Sequence, residues 1–230
     1  MSNSVIDVRR ADTRPHTRIG WLDSRHSFSF GNYVDPHRTG FRSLRVLNDD
    51  RVAPGGGFPT HAHHDMEILT YVLDGTIAHE DSMGHRVELK AGELQRMTAG
   101  SGLTHSEFNA SSEDPLHFLQ IWVMPEREGI EPSYEQRPVG SGEGLELIAS
   151  GTEREGAMKI HQDVDLFLLS GGSAEHALGP DRHAYIHVAA GAATVNGERL
   201  EAGDALTLSG EPAVSLEADQ DARVLLFDLA

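Results

Sequence analysis

Glu67-Ile-Leu-Thr-Tyr-Val-Leu73, running into Asp74-Gly75 and then Thr76-Ile-Ala-His-Glu80, decides the fold. Seven residues rich in β-branched and aromatic side chains meet Asp-Gly, a strong hairpin signal, and a second short strand returns. Ser82-Met-Gly84 turns that strand, and Arg86-Val-Glu-Leu-Lys90 with Ala91-Gly92 opens the next hairpin. The same rhythm extends outward in both directions. Twenty-four glycines and ten prolines punctuate 230 residues, leaving pieces of about 8 to 12 residues, the spacing of an all-β chain. Leu116-His-Phe-Leu-Gln-Ile-Trp-Val123 reads as a buried strand. No long amphipathic helix is expected, only short turns, one of them near Pro132–Gln136.

The polar stretch from Pro125 to Gly144, with three prolines and four glycines, reads as an interdomain connection. Past it the pattern restarts. Tyr71-Val-Leu-Asp-Gly75 and Val87-Glu-Leu-Lys-Ala-Gly-Glu93 are echoed by Tyr185-Ile-His-Val-Ala-Ala-Gly191 and Val195-Asn-Gly-Glu-Arg-Leu-Glu-Ala-Gly-Asp204. An internal duplication is the economical explanation. The expected organisation is a first domain over 1–130, a linker over 131–145 and a second domain over 146–230.

Gly55-Gly-Gly-Phe-Pro-Thr-His61-Ala-His63-His64-Asp65-Met66-Glu67 sets two imidazoles at i and i+2, which in a strand share one face. Gly100-Ser-Gly102-Leu-Thr-His105-Ser106-Glu107-Phe108-Asn109 repeats the spacing with an imidazole and a carboxylate. Side by side in a barrel, the two strands bring His61, His63, His105 and Glu107 to one interior point. A lone strand histidine is ordinarily surface or satisfied core; two such pairs point to a divalent first-row ion. In an octahedral shell, four protein ligands leave two positions for a bidentate substrate, or for substrate and dioxygen. His64 should face the opposite way. Glu67 keeps the parity of His63 if the strand runs on, which makes it an alternative ligand or an acceptor behind one. His79, His85 and His117 read as strand packing or surface. The second copy offers no such set. Ten and eight residues before Tyr185 stand Glu175 and Ala177, with His176 between them, and no histidine follows His187. That half is expected to lack a metal site.

Composition limits the rest. Thirty-six acidic and 19 basic residues give a net charge of −17, which argues against nucleic acid and anionic membranes as partners. Without cysteine there are no disulfides, thiolate ligands or thiol nucleophiles. Met1 to Thr17 has no apolar run of the signal-peptide kind and no stretch has the roughly 18 apolar residues of a spanning helix, so a cytoplasmic protein is expected.

Gly55(x5)His61-x-His63(x3)Glu67 and Gly100-x-Gly102-x-x-His105(x3)Asn109 resemble the two cupin motifs, with glycine at 100 where proline is common. Glu107, two residues after the second-motif histidine, is the arrangement seen in pirins. Ser27-Phe-Ser-Phe30, Leu44-Arg-Val-Leu-Asn-Asp50, Asp65-Met-Glu-Ile68 and Asp81-Ser-Met-Gly84 look like pirin signatures too. The resemblance implies two cupin-type β-barrels (a bicupin of double-stranded β-helices). It also implies one divalent transition metal, iron first among Fe, Cu, Ni, Mn, Co and Zn, on the residues matching His61, His63, His105 and Glu107. For bacterial members it implies quercetin 2,3-dioxygenase activity, in which a flavonol binds through its 3-hydroxyl and 4-carbonyl oxygens, dioxygen is added and carbon monoxide leaves. Glu107 then serves as base as well as ligand. The expected partners are a flavonol-like small molecule and O2, in a monomer. The alternatives are a metal-binding regulator that docks on another protein, and an oxygenase or isomerase on an endogenous substrate.

Overall fold

The computed structural model describes residues 5–142 and 144–230, almost all of them in strands or the turns between strands. The chain forms two compact units. One takes Pro15–Pro138 and Ile160–Gln162; the other takes the described residues of Met1–Arg14, Val139–Lys159 and Asp163–Ala230. In chain order the strands are β1 (Val5–Arg9), β2 (His16–Ile19), β3 (Leu22–His26), β4 (Leu44–Val52), β5 (Gly57–His63), β6 (Glu67–Asp74) and β7 (Thr76–Asp81). There follow β8 (Arg86–Lys90), β9 (Glu93–Thr98), β10 (Leu103–Asn109), β11 (Leu116–Val123), β12 (Ser133–Pro138), β13 (Leu145–Ser150) and β14 (Met158–Lys159). The last six are β15 (Val164–Ala177), β16 (His183–Ala190), β17 (Ala192–Val195), β18 (Glu198–Glu201), β19 (Ala205–Ser209) and β20 (Ala213–Leu229).

The unit built on 15–138 has a seven-stranded sheet, ordered β12-β9-β6-β11-β4-β3-β2, and a four-stranded sheet, ordered β5-β10-β7-β8. The strands on either side of Asp74-Gly75 form, but not as the expected hairpin: β6 pairs with β9 and β11 and β7 with β8 and β10, so the turn, with Gly75 at φ 83°, carries the chain from one sheet to the other. A Cβ there would come within 3.0 Å of the Pro115 carbonyl oxygen, so glycine is needed for space as well as for torsion. Ile68, Met97, Ala99 and Leu103 form one buried apolar cluster, and Val52, Val72, Ile77, Leu89, Leu116 and Phe118 form another. Each such side chain contributes roughly 1.5–3 kcal/mol by leaving water.

The segment read as a connection is more structured than expected. Ser133–Pro138, placed partly in a helical turn by sequence, is a strand paired with β9 from Ser133↔Thr98 to Pro138↔Glu93. The prolines and glycines on either side, Pro125, Gly129 and Pro132 before it and Gly140, Gly142 and Gly144 after it, hide it, because they carry the turn signal while an edge strand needs few apolar residues.

In the other unit the sheet runs β1-β19-β16-β20-β15-β13-β14, with β17 joining β18 and β20. Its edge strand β1 comes from the start of the chain, in register Val8↔Leu206, and Arg10 bonds Asp204 at 2.8 Å. The chain's first strand therefore pairs within the second unit, a partnership about two hundred residues apart that local pattern does not reveal. The repeated strand pairings correspond. β6 pairs β9 and β7 pairs β8, as β16 pairs β19 and β17 pairs β18.

Candidate metal centre

β10 is flanked by β5 and β7, and its alternation decides what faces inward. Leu103, His105, Glu107 and Asn109 are buried while the residues between them are not. His105 lies opposite His61 in β5, and Leu103 lies opposite His63. Opposed residues share a face with Cβ atoms about 4.5–5.5 Å apart. The imidazoles accordingly converge, with ring centroids 4.8 Å apart for His61–His63, 4.5 Å for His61–His105 and 5.0 Å for His63–His105. One ligand atom from each of the three lies within 4.8 Å of the others. Glu107 groups in the same way with His105 and His79.

The environment keeps the His63 and His105 rings neutral. Burial, helped by the neighbouring imidazoles, pushes His63 down to about 4 and His105 down to about 3. His61 Nδ1 lies 2.8 Å from the Pro59 carbonyl oxygen, which can only accept, so Nδ1 carries a proton and Nε2 is the nitrogen left to face a ligand. His105 is buried with neither ring nitrogen bonded to the protein. An unsatisfied buried polar atom costs about 1–3 kcal/mol, and a metal bond to one of these nitrogens relieves it. The donor set of imidazoles and a carboxylate suits a divalent first-row ion.

Glu107 is held from three sides. Gln120 Nε2 donates to Oε2 at 2.9 Å, while Thr70 Oγ1 and Gln95 Nε2 donate to Oε1 at 3.3 Å each. Tyr134 supports Gln95 from behind, its hydroxyl 3.0 Å from Gln95 Oε1, and burial raises its phenol above the ordinary range. Sequence reading missed these holders, since uncharged side chains scattered over the 65 residues from Thr70 to Tyr134 carry no spacing signal.

His61, His63, Glu107 and Gln120 line a cleft of about 720 Å³ including its open mouth. Leu22, Phe30, Phe58 and Trp122 form apolar walls, and His26, Asn48 and Asp50 a polar one. Trp122 packs edge-on against both His63 and Phe30. Asn48 and Asp50, two apart in β4, face the cleft. Asp49, out of phase, lies 2.8 Å from His117 Nε2.

Glu67 does not join the cluster. The strand breaks after His63, where Asp65 takes φ 47° and its Oδ1 accepts the Gly129 N–H at 2.7 Å. Glu67 therefore starts β6 in the other sheet, fully buried, with His161 Nδ1 at 2.9 Å and Thr98 Oγ1 at 3.0 Å. Burial raises its pKa against the pull of those two partners. Gly100 sits at φ 44°, a torsion closed to the proline common at that place in the cupin pattern. His64 is exposed, as its parity required. His79, read as packing, instead faces the cluster, and His85 lies 2.9 Å from Asp81. In the second unit His176 bonds Asp228 at 2.7 Å, and no metal-binding group occurs among that unit's described residues.

Residues 7–123 match the family described as Pirin, and 147–229 match the quercetinase C-terminal cupin domain. The chain is 49% identical to a protein of Escherichia coli (strain K12) named quercetin 2,3-dioxygenase, over 98% of this chain and 99% of that one. It is 39% identical to a pirin-like protein of Caulobacter vibrioides, over 98% and 100% respectively. Among solved structures, the bacterial pirin YhhW of Escherichia coli in complex with nickel(II) superposes with a TM-score of 0.93 at 47% identity, covering 98% of this chain and 99% of that one. GK1651 of Geobacillus kaustophilus gives 0.78 at 26% identity, covering 98% and 95%. The all-β fold is that of two cupin domains.

Proposed function

The chain belongs to the pirin family, and from that premise and the cluster around His105 we propose that it is a metal-dependent dioxygenase cleaving the flavonol quercetin with O2. The observation that carries the reading is the meeting of His61, His63 and His105, with the buried Glu107 grouped beside His105, at an apolar-walled cleft that His61, His63 and Glu107 line. His61, His63, His105 and Glu107 would hold the ion. Once bound, a divalent first-row metal supplies Lewis acidity toward the substrate's oxygens and a means of engaging dioxygen. Relatives named quercetin 2,3-dioxygenase support this reading, as does the nickel complex of a related pirin.

The chain's own residues do the rest. Leu22, Phe30, Phe58 and Trp122 hold a flat polyphenol and exclude water from the reacting end, which strengthens every charge interaction there. Asn48, Asp50 and His26 meet hydroxyls on the ring that points away from the imidazoles. Glu107 accepts the proton of the substrate's 3-hydroxyl, and Gln120, Gln95 and Thr70 keep its carboxylate aimed while it does so.

The test is oxygen uptake and carbon monoxide release from quercetin by protein reconstituted in turn with iron, nickel, copper, manganese and cobalt. One CO per flavonol consumed, at a turnover within the ordinary enzymatic range of about 1–10³ s⁻¹, is the expected result. Protein loaded with one ion per chain that neither consumes oxygen nor releases CO contradicts the reading. Turnover far below that range would assign the cleft to another substrate.

A further inference from the structure

β10 has a second neighbour whose side chains the four-ligand set does not use. Across β7, Asp81 lies opposite His105 and His79 lies opposite Glu107, so β7 brings another imidazole and carboxylate, at i and i+2, to the same face. Ligand atoms of His79, His105 and Glu107 lie within 4.8 Å of one another, and all three residues are buried. His79 Nε2 is 3.2 Å from Asp81 Oδ2, both side chains being fully buried, and its Nδ1 has no hydrogen-bond partner.

That combination is built rather than incidental. Asp81 is itself fixed by the backbone N–H groups of Met83 and His85. A carboxylate behind a histidine sets the proton on the near nitrogen and leaves the far one as a bare lone pair, the arrangement that prepares an imidazole for a metal. Neither ring nitrogen of His105 has a hydrogen-bond partner, and an ion bound with His61 and His63 engages only one of them.

We propose that the centre has a second, inner ion position formed by His79, His105 and Glu107, with Asp81 orienting His79, beside the outer position of His61, His63, His105 and Glu107. Two imidazoles and a carboxylate make a donor set that holds divalent first-row ions. The positions share His105 and Glu107, and one ion serves both. His61, His63 and Glu107 line the cleft while His79 and His105 do not, so His79 marks the end of the centre away from substrate. This inference rests on the reading of the cluster as a metal centre.

The experiment is anaerobic titration with Co(II) alone, followed by calorimetry, the visible absorption of the bound ion and elemental analysis after gel filtration. Wild-type protein is expected to bind one Co(II). The double variant His61→Ala/His63→Ala is expected still to bind one Co(II) per chain, more weakly. Adding His79→Ala or His79→Gln abolishes that remaining binding. Adding Asp81→Asn weakens it by about 10- to 100-fold, the usual cost of losing a carboxylate behind a ligating histidine. The glutamine variant preserves bulk and a donor toward Asp81, and thermal unfolding of each metal-free variant confirms that folded protein is being compared. A folded double variant that binds no Co(II), while wild type binds one, overturns the inner position and leaves the metal centre standing. Wild type that binds none overturns both.

Discussion

In the unit of residues 15–138, β10 turns Leu103, His105, Glu107 and Asn109 inward between β5 and β7. In the other unit, the first part of β20 runs between the end of β15 and β17 and buries Val214 and Leu216. On β17 the buried Val195 lies opposite Leu216, where on β7 His79 lies opposite Glu107. The second unit consequently closes around one continuous cluster of fifteen buried apolar residues, from Leu169 to Leu226. The first gives up that continuity. Its apolar clusters stand apart, and polar side chains occupy inward positions of the strands. The same succession of strand pairings thus supports either a packed core or a reactive pocket, depending on which residues stand at the inward-facing positions.

The comparison breaks most readily at its reactive side. His63→Ala removes one imidazole from a position on the cleft wall, so metal affinity should fall by more than the roughly 100-fold that losing a supporting group costs, with the metal-free protein still folded. Elemental analysis and thermal unfolding check the two halves of that statement. Unfolding at a much lower temperature, out of proportion to the lost ion, would make the histidine structural. On the packed side, Leu216→Ala should destabilise the protein by about 2–5 kcal/mol in denaturant titration and leave metal content unchanged. Gln120→Ala removes the 2.9 Å bond to Glu107 and should weaken metal binding by about 10- to 100-fold in competition with a chelator.

A smaller effect follows from acid. Burial works against ionisation of Asp228, but His176 and Arg182 outweigh it and hold its pKa below the ordinary value. A carboxylate lower in the folded than in the unfolded state stabilises above about pH 4 and loses that contribution as pH falls through its folded value. Calorimetric unfolding of wild type should therefore drop more steeply below about pH 4 than that of Asp228→Asn. His176→Ala should have no effect on metal content at all, because its ring is committed to Asp228.

Alternation and turn chemistry made the strands legible, and the i, i+2 pairs made His61, His63, His105 and Glu107 stand out, because strand geometry alone puts such pairs on one face. The duplication was visible for the same reason, since glycine turns recur at matching places. Glu67 misled because parity holds only while a strand continues, and the turn at Asp65 depends on Gly129, 64 residues on. β12 was hidden among prolines and glycines, and β1 by the distance to its partner. His79 carried a signal that was available, the same histidine-x-carboxylate spacing as His105 and Glu107. It looked like packing because nothing in the sequence says that β7 rather than β8 borders β10.

Anomalous X-ray scattering at the metal edge, on crystals of protein loaded with one ion per chain, addresses the central claim most directly. The account predicts a peak at ligand distance, about 2.0–2.1 Å, from a ring nitrogen of His105. A stoichiometric ion bound anywhere else in the chain, with no peak beside His105, would contradict it.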